Sequence, residues 1–180
     1  MTKSQWRKAM RGRLAEWVNQ HHQLENKSLH QNLCDFLQTK TGVWGAFRAH
    51  GLEPNLQSAT QLNLHIIWAY PKMMGEELLW IQPGPKGFTR GPFGIEEPAL
   101  EGGRVCELKS ISGILVPGLA FDAKGGRLGQ GRGFFDKALV DFQGLKVGIA
   151  WEVQMIDQVP CETHDIRMDY VITNKQAIQC

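Results

Sequence analysis

Six glycines (Gly118, Gly125, Gly126, Gly129, Gly131, Gly133), two arginines (Arg127, Arg132) and two aspartates (Asp122, Asp136) fall within one run, Leu115–Leu139. These types at this density suit an anion, above all a phosphate. Glycine lets the backbone come close and present its N–H groups, and a helix start adds partial positive charge. Arginine adds charge and a forked donor. Generic phosphate motifs do not match. Gly126 and Gly131 have the P-loop separation, but Arg132 and Gly133 follow instead of Lys and Ser/Thr. Gly129-Gln-Gly131-Arg-Gly133 lacks the spacing of the dinucleotide fingerprint. A tight surface turn would show the same glycines. The arginines, the aspartates and the flanking apolar and helix-like stretches distinguish a cradle from such a turn.

The elements that must hold this loop are legible in outline. Residues 4–21 predict an amphipathic helix with Trp6, Met10, Leu14 and Trp17 facing the core, and Arg7 and Arg11 sharing a face four residues apart. Ser28-Leu-His-Gln31 has the form of a capping box, which predicts a second helix through Leu29, Leu33, Phe36 and Leu37. Strands are expected at Val43–Phe47, His65–Tyr70, Leu78–Ile81, Ile114–Val116, Lys146–Trp151 and Tyr170–Thr173, with a helix over Phe134–Phe142. Residues 82–104 are rich in Gly and Pro and read as a long ordered loop of the kind that carries function. Strands alternating with helices predict an α/β fold: a single-domain, Rossmann-like layered sandwich over residues 1–180, its central sheet mainly parallel and flanked by helices.

Composition narrows the function classes. The chain has 180 residues, 42% hydrophobic and 21% charged, and a formal net charge of +2. That charge is too small to indicate nucleic acid. No apolar run is long enough to span a membrane, and residues 1–8 lack the apolar core of a secretory signal. Cys34, Cys106, Cys161 and Cys180 form no Cys-x-x-Cys pair, which argues against a zinc site and suits a reducing cytoplasm.

The run Val116-Pro-Gly-Leu-Ala-Phe-Asp122, then Gly125-Gly-Arg-Leu-Gly-Gln-Gly-Arg-Gly133, two aromatics and Asp136 resembles the signature of the 5-formyltetrahydrofolate cyclo-ligase family. Gly94–Pro98, Ala150–Gln154, Val159–Asp165 and Asp169–Thr173 resemble its other blocks in order and spacing. The resemblance implies a cytoplasmic enzyme, a monomer or weak dimer. It would use ATP as co-substrate and Mg²⁺ to close 5-formyltetrahydrofolate to 5,10-methenyltetrahydrofolate, releasing ADP and phosphate. It implies an ATP site at Arg7, Arg11, Arg127, Leu128, Gly129, Gln130, Gly131, Arg132, Gly133, Phe134 and Phe135, with Arg127 and Arg132 supporting phosphoryl transfer. Folate contacts would come from Glu53 and from Gln130, Gly131, Arg132, Gly133 and Phe134. Asp136 would hold the metal, with Asp165 a second candidate ligand and His164 orienting it or packing.

The chain departs from the family pattern at three places. Arg7 stands where lysine is common. Pro54 and Leu56 follow Glu53 where the family has an aliphatic residue and a threonine. Phe134 and Phe135 replace a usual pair of tyrosines, which keeps the aromatic planes and removes two hydroxyls. The Phe pair and Arg7 support one alternative, a folate- or nucleotide-binding relative with weak or no catalysis; a separate alternative is an ATP-dependent ligase or kinase for another substrate. The matches outside the glycine run count against the latter. Trp68 and Trp80 are assigned to core packing.

Overall fold

The computed structural model describes residues 1–162 and 165–180, and for residues 22–25 the backbone alone. The chain order is α1 (Lys3–Leu37), β1 (Gly42–Gly45), α2 (Gln57–Leu62), β2 (Ile66–Met74), β3 (Glu77–Gln82), β4 (Phe88–Arg90), β5 (Glu96–Pro98), β6 (Arg104–Cys106), β7 (Ile111–Pro117), β8 (Ala120–Phe121), β9 (Arg127–Leu128), α3 (Phe134–Leu139), β10 (Leu145–Ile149), β11 (Tyr170–Ile172) and β12 (Ala177–Gln179). Eight strands form the main sheet in the order β12-β11-β10-β7-β1-β2-β3-β6. The five central strands, β11 through β2, are parallel; β12, β3 and β6 extend the sheet antiparallel. The expected α/β layering with a mainly parallel sheet is what the chain adopts.

Side chains alternate between two cores, as the strand period requires. Leu115, Val147, Ile149 and Ile172 pack with Leu14, Leu29, Leu33 and Leu37 of α1. Ile114, Val116 and Val171 point the other way and pack with Leu139 of α3, Phe142 and Phe121. Strands buried on both faces explain why these segments read as continuous apolar runs.

Three expectations change. The two N-terminal helices are one helix of 35 residues, capped by Thr2, whose hydroxyl accepts from the Gln5 amide at 3.3 Å. No glycine or proline lies between His21 and Ser28, so nothing stops the first helix, and Ser28 sits in its interior. Strand β2 runs through Pro71. Met73 N–H donates to Glu97 rather than to β3, at 3.2 Å, and Pro71, two residues earlier, faces the same way, so its missing donor breaks no β2–β3 bond. Residues 82–104 fold into an arm built on the antiparallel pair β4–β5, with Phe88 opposite Pro98. Its strands, and the short β6 and β12, are three residues each, too short to carry a period that sequence can show.

Candidate active site

The strand order runs outward from one point. From β1 the chain proceeds to β2 on one side; from β7 it proceeds to β10 and β11 on the other. In open α/β sheets, ligands bind at such a reversal, outside the carboxyl ends of the strands. A cavity of about 470 Å³ opens there, with Phe47 and Arg48 from the end of β1 and Pro117, Gly118 and Leu119 from the end of β7. The glycine loop forms one wall through Gly129, Gln130, Arg132, Gly133, Phe134, Phe135 and Asp136. The β1–α2 loop and the β4–β5 arm form the other through His50, Glu53, Phe93 and Glu96.

The loop's glycines divide by task. Gly125 and Gly126 lie in the turn of the β8–β9 hairpin, away from the cavity. That turn is fastened by Asp122, whose buried carboxylate accepts from Lys124 and Gly126 at 2.9 Å and from Val159 at 2.8 Å. Gly125 is required there: its φ is +79°, and a Cβ would stand 2.3 Å from the Met168 carbonyl oxygen. Gly118, Gly129 and Gly133 line the cavity. Helix α3 has only six residues, so its dipole is weaker than the sequence suggests.

Strand β9 carries Arg127 inward. Its side chain is 4% exposed; Nη1 donates to the Pro117 carbonyl at 3.0 Å and Nη2 to the Asp136 carboxylate. Its buried Nε has no hydrogen-bond partner. Arg132 lies with its guanidinium carbon 3.4 Å from the ring centroid of Phe93. From α1, Arg7 Nε donates to the Gly129 carbonyl at 3.0 Å, and Arg11 donates to the Gln130 carbonyl at 3.1 Å. Both arginines therefore brace the glycine loop through its backbone, and Arg11 also lines the cavity. Leu128 is buried with Met10 and Leu119, beneath the loop rather than on its surface. Gly131 adopts φ +107° beside Arg7.

Glu53 faces the cavity. Its carboxylate accepts from the His50 amide at 3.0 Å, and the Gln130 side chain lies near it. Burial pushes its carboxyl above the ordinary glutamate value, opposed by the His50 amide and the Gln130 side chain. Asp136, at the cavity wall, keeps a 42% exposed side chain. Asp165 is not brought to it: it accepts from Lys3 Nζ at 2.7 Å and does not line the cavity. His164 lies outside the described residues. Among the described residues no three His, Cys, Asp or Glu side chains converge as a metal site. Magnesium needs no such cage. It keeps waters and is held by one or two carboxylates plus a substrate's phosphates, a donor set that Asp136 beside an arginine-lined cavity can complete.

The sequence alone did not single out Arg48, Phe93 or Glu96. Arg48 Nε bonds Glu96 at 2.9 Å, and its guanidinium lies 4.6 Å from the Phe88 ring centroid. The available signal was position: Arg48 follows a buried strand, and Phe93 and Glu96 border or lie within the Gly94–Pro98 block. Trp80 is buried against Phe135, and neither it nor Trp68 lines the cavity.

These features define a class: an α/β protein with a phosphate-suited loop at the reversal point of its sheet. The chain belongs to the 5-formyltetrahydrofolate cyclo-ligase family, whose sequence profile matches residues 1–174. A curated relative from Mycolicibacterium smegmatis, a 5-formyltetrahydrofolate cyclo-ligase, is 32% identical over 103 residues, 56% of this chain and 53% of the relative. One of the same name from Escherichia coli K12 is 38% identical over 82 residues, 44% and 45% of the two chains. The matched stretches thus span about half the length of these relatives. The solved structure of a 5,10-methenyltetrahydrofolate synthetase from Aquifex aeolicus superposes with a TM-score of 0.82 at 29% identity, covering 99% of this chain and 93% of that one. One from Mycoplasma pneumoniae, at 24% identity and TM-score 0.74, shares the fold over 96% and 98% of the two chains.

Proposed function

We propose that the chain catalyses ATP-dependent closure of 5-formyltetrahydrofolate to 5,10-methenyltetrahydrofolate, as one catalytic unit acting on two small molecules in the cytoplasm. The observation that carries this reading is the two-walled cavity. One wall offers cationic and backbone groups suited to phosphates; the other offers Glu53, an acceptor suited to the N–H donor face of a pterin.

A formyl amide is a poor electrophile because its nitrogen donates into the carbonyl. The formyl oxygen attacks the γ-phosphorus, the bond to ADP breaks, and an iminium phosphate results. N10 of the same folate then attacks the formyl carbon, the carbon–oxygen bond to phosphate breaks, and N10 loses its proton. No protein nucleophile is required. The protein must align oxygen and phosphorus, exclude water and meet spreading negative charge. Arg127 and Arg132 supply that charge; Arg7 and Arg11 hold the loop that presents Gly129–Gly133. Asp136 would hold Mg²⁺, which supplies charge neutralisation on the phosphates.

Purified protein with ATP, Mg²⁺ and 5-formyltetrahydrofolate should generate the near-ultraviolet absorbance of the methenyl product. Folate binding without product would overturn the catalytic claim. It would favour a binding relative, the second reading, which rests on Phe134 and Phe135 lacking hydroxyls.

A further inference from the structure

Glu97, on β5, is a carboxylate buried to 2% exposure at the cavity's edge, and the proposed chemistry does not use it. Lys72 and Met73, both on β2, hold it. The Met73 amide donates to Oε1 at 3.2 Å and Lys72 Nζ donates to Oε2 at 3.2 Å. Gly91 closes the space around it, since a Cβ at that position would stand 2.4 Å from the Glu97 carboxyl carbon. The β4–β5 arm is thereby fastened to β2 through Glu97, beside its second charged tie, Glu96 to Arg48 at the end of β1. At its tip, Phe93 holds φ +62°, the sole non-glycine residue among those described with positive φ. The ring is 56% exposed, yet it lies face-on against Arg132. Surrounding structure must hold such a backbone, and the buried fastening point of the arm on the β2 side is Glu97.

We propose that Glu97 is a positioning residue. By locking the arm to Lys72 and Met73, it sets Phe93, and Phe93 sets the Arg132 guanidinium at the cavity. The inference rests on the proposed function only for Arg132's use in phosphoryl transfer; the geometric chain from Glu97 to Arg132 stands without it. Buried charges tied to one ammonium and one amide suit fixing a geometry more than adding stability.

The test reads Arg132 directly. In ¹⁵N-labelled full chain, the Arg132 Nε–H resonance, assigned by its loss in Arg132→Lys, should be shifted by the Phe93 ring current. Phe93→Leu should abolish the shift. Glu97→Ala should abolish it too, and amide exchange over 88–98 should rise about tenfold or more while β7 and β10 keep their protection. Glu97→Gln retains an acceptor for Met73 and should keep part of the shift. Gly91→Ala keeps the charge but crowds the carboxyl, and should reproduce Glu97→Ala if that variant fails to fold. Given turnover, Glu97→Ala should lower kcat about tenfold or more, and Glu97→Gln should recover part of the loss. An Arg132 resonance unchanged in Glu97→Ala or Gly91→Ala overturns the proposal, as does loosening spread evenly over the sheet. Absence of methenyl product with wild type overturns the proposed function instead and leaves the resonance test intact.

Discussion

Glu53 and the Arg127–Asp136 pair show how single residues are set by their surroundings. The folded chain holds a proton on Glu53 at pH values where the unfolded chain has released it, because burial raises its pKa above the ordinary 4.5. The folded state therefore binds more protons, and stability falls as pH rises from that ordinary value through the raised one. Glu53→Gln removes the charge. Its melting temperature should exceed wild type at about pH 7, and the advantage should vanish below about pH 4, where both states of Glu53 are neutral. Parallel melts across pH check this; superimposable profiles would show that burial does not penalise the carboxylate. Arg127 is more tightly committed. Arg127→Ala leaves the Pro117 carbonyl and Asp136 without their donor and should cost roughly 2 kcal/mol, less than a fully buried pair because Asp136 stays open to water. Asp136→Asn keeps an acceptor for Arg127. Its melting temperature should stay near wild type while calorimetry shows ATP binding no longer strengthened by Mg²⁺.

At the scale of elements, the glycine run is a β-hairpin followed by a loop. Asp122 belongs to the hairpin: it ties the turn to Val159, and β9 then delivers Arg127 inward. Asp122→Ala would leave the Gly126 and Val159 amides buried without a partner, at a cost of about 3 kcal/mol, and should lower the denaturation midpoint accordingly. Asp122→Asn, which keeps an acceptor oxygen, should lose less. The sequence marked both aspartates as bracketing the loop, but the two have opposite uses, one turned into the hairpin and one toward the cavity. That division depends on where the chain bends, which residue types do not encode.

At the scale of the molecule, the cavity proposed for both substrates is assembled from α1, the β1–α2 loop, the β4–β5 arm and the glycine loop. A ligand bound to all of these must stabilise the whole fold. Mg²⁺ and ATP at about one hundred times their dissociation constant should add about 2.7 kcal/mol, a rise of roughly 5–10 °C in melting temperature for a chain of this size. EDTA should remove most of the gain. No shift with the nucleotide would show that the folded chain does not bind it.

Much of this is legible in the chain alone. The apolar periods of Met10–Leu14 and Ile114–Val116 announced buried elements, because burial on a helix face or a double-covered strand leaves a repeat in the chain. The glycine–arginine run announced a phosphate-suited loop through residue chemistry alone. Sequence could not show that α1 continues past Ser28, since a capping box and a helix interior share residue types. It could not show the β4–β5 arm, whose strands are too short for a period. Nor could it show the pairing of Arg127 with Asp136, of Arg48 with Glu96 or of Phe93 with Arg132. Those contacts join residues through folded chain, and only packing decides which of several arginines meets which partner. The sequence by itself determined the family, the layered α/β architecture and the chemistry available. The tertiary structure alone decided the cavity and the side chains that share it, because strand order, not chain order, sets what lies at the carboxyl ends of the sheet.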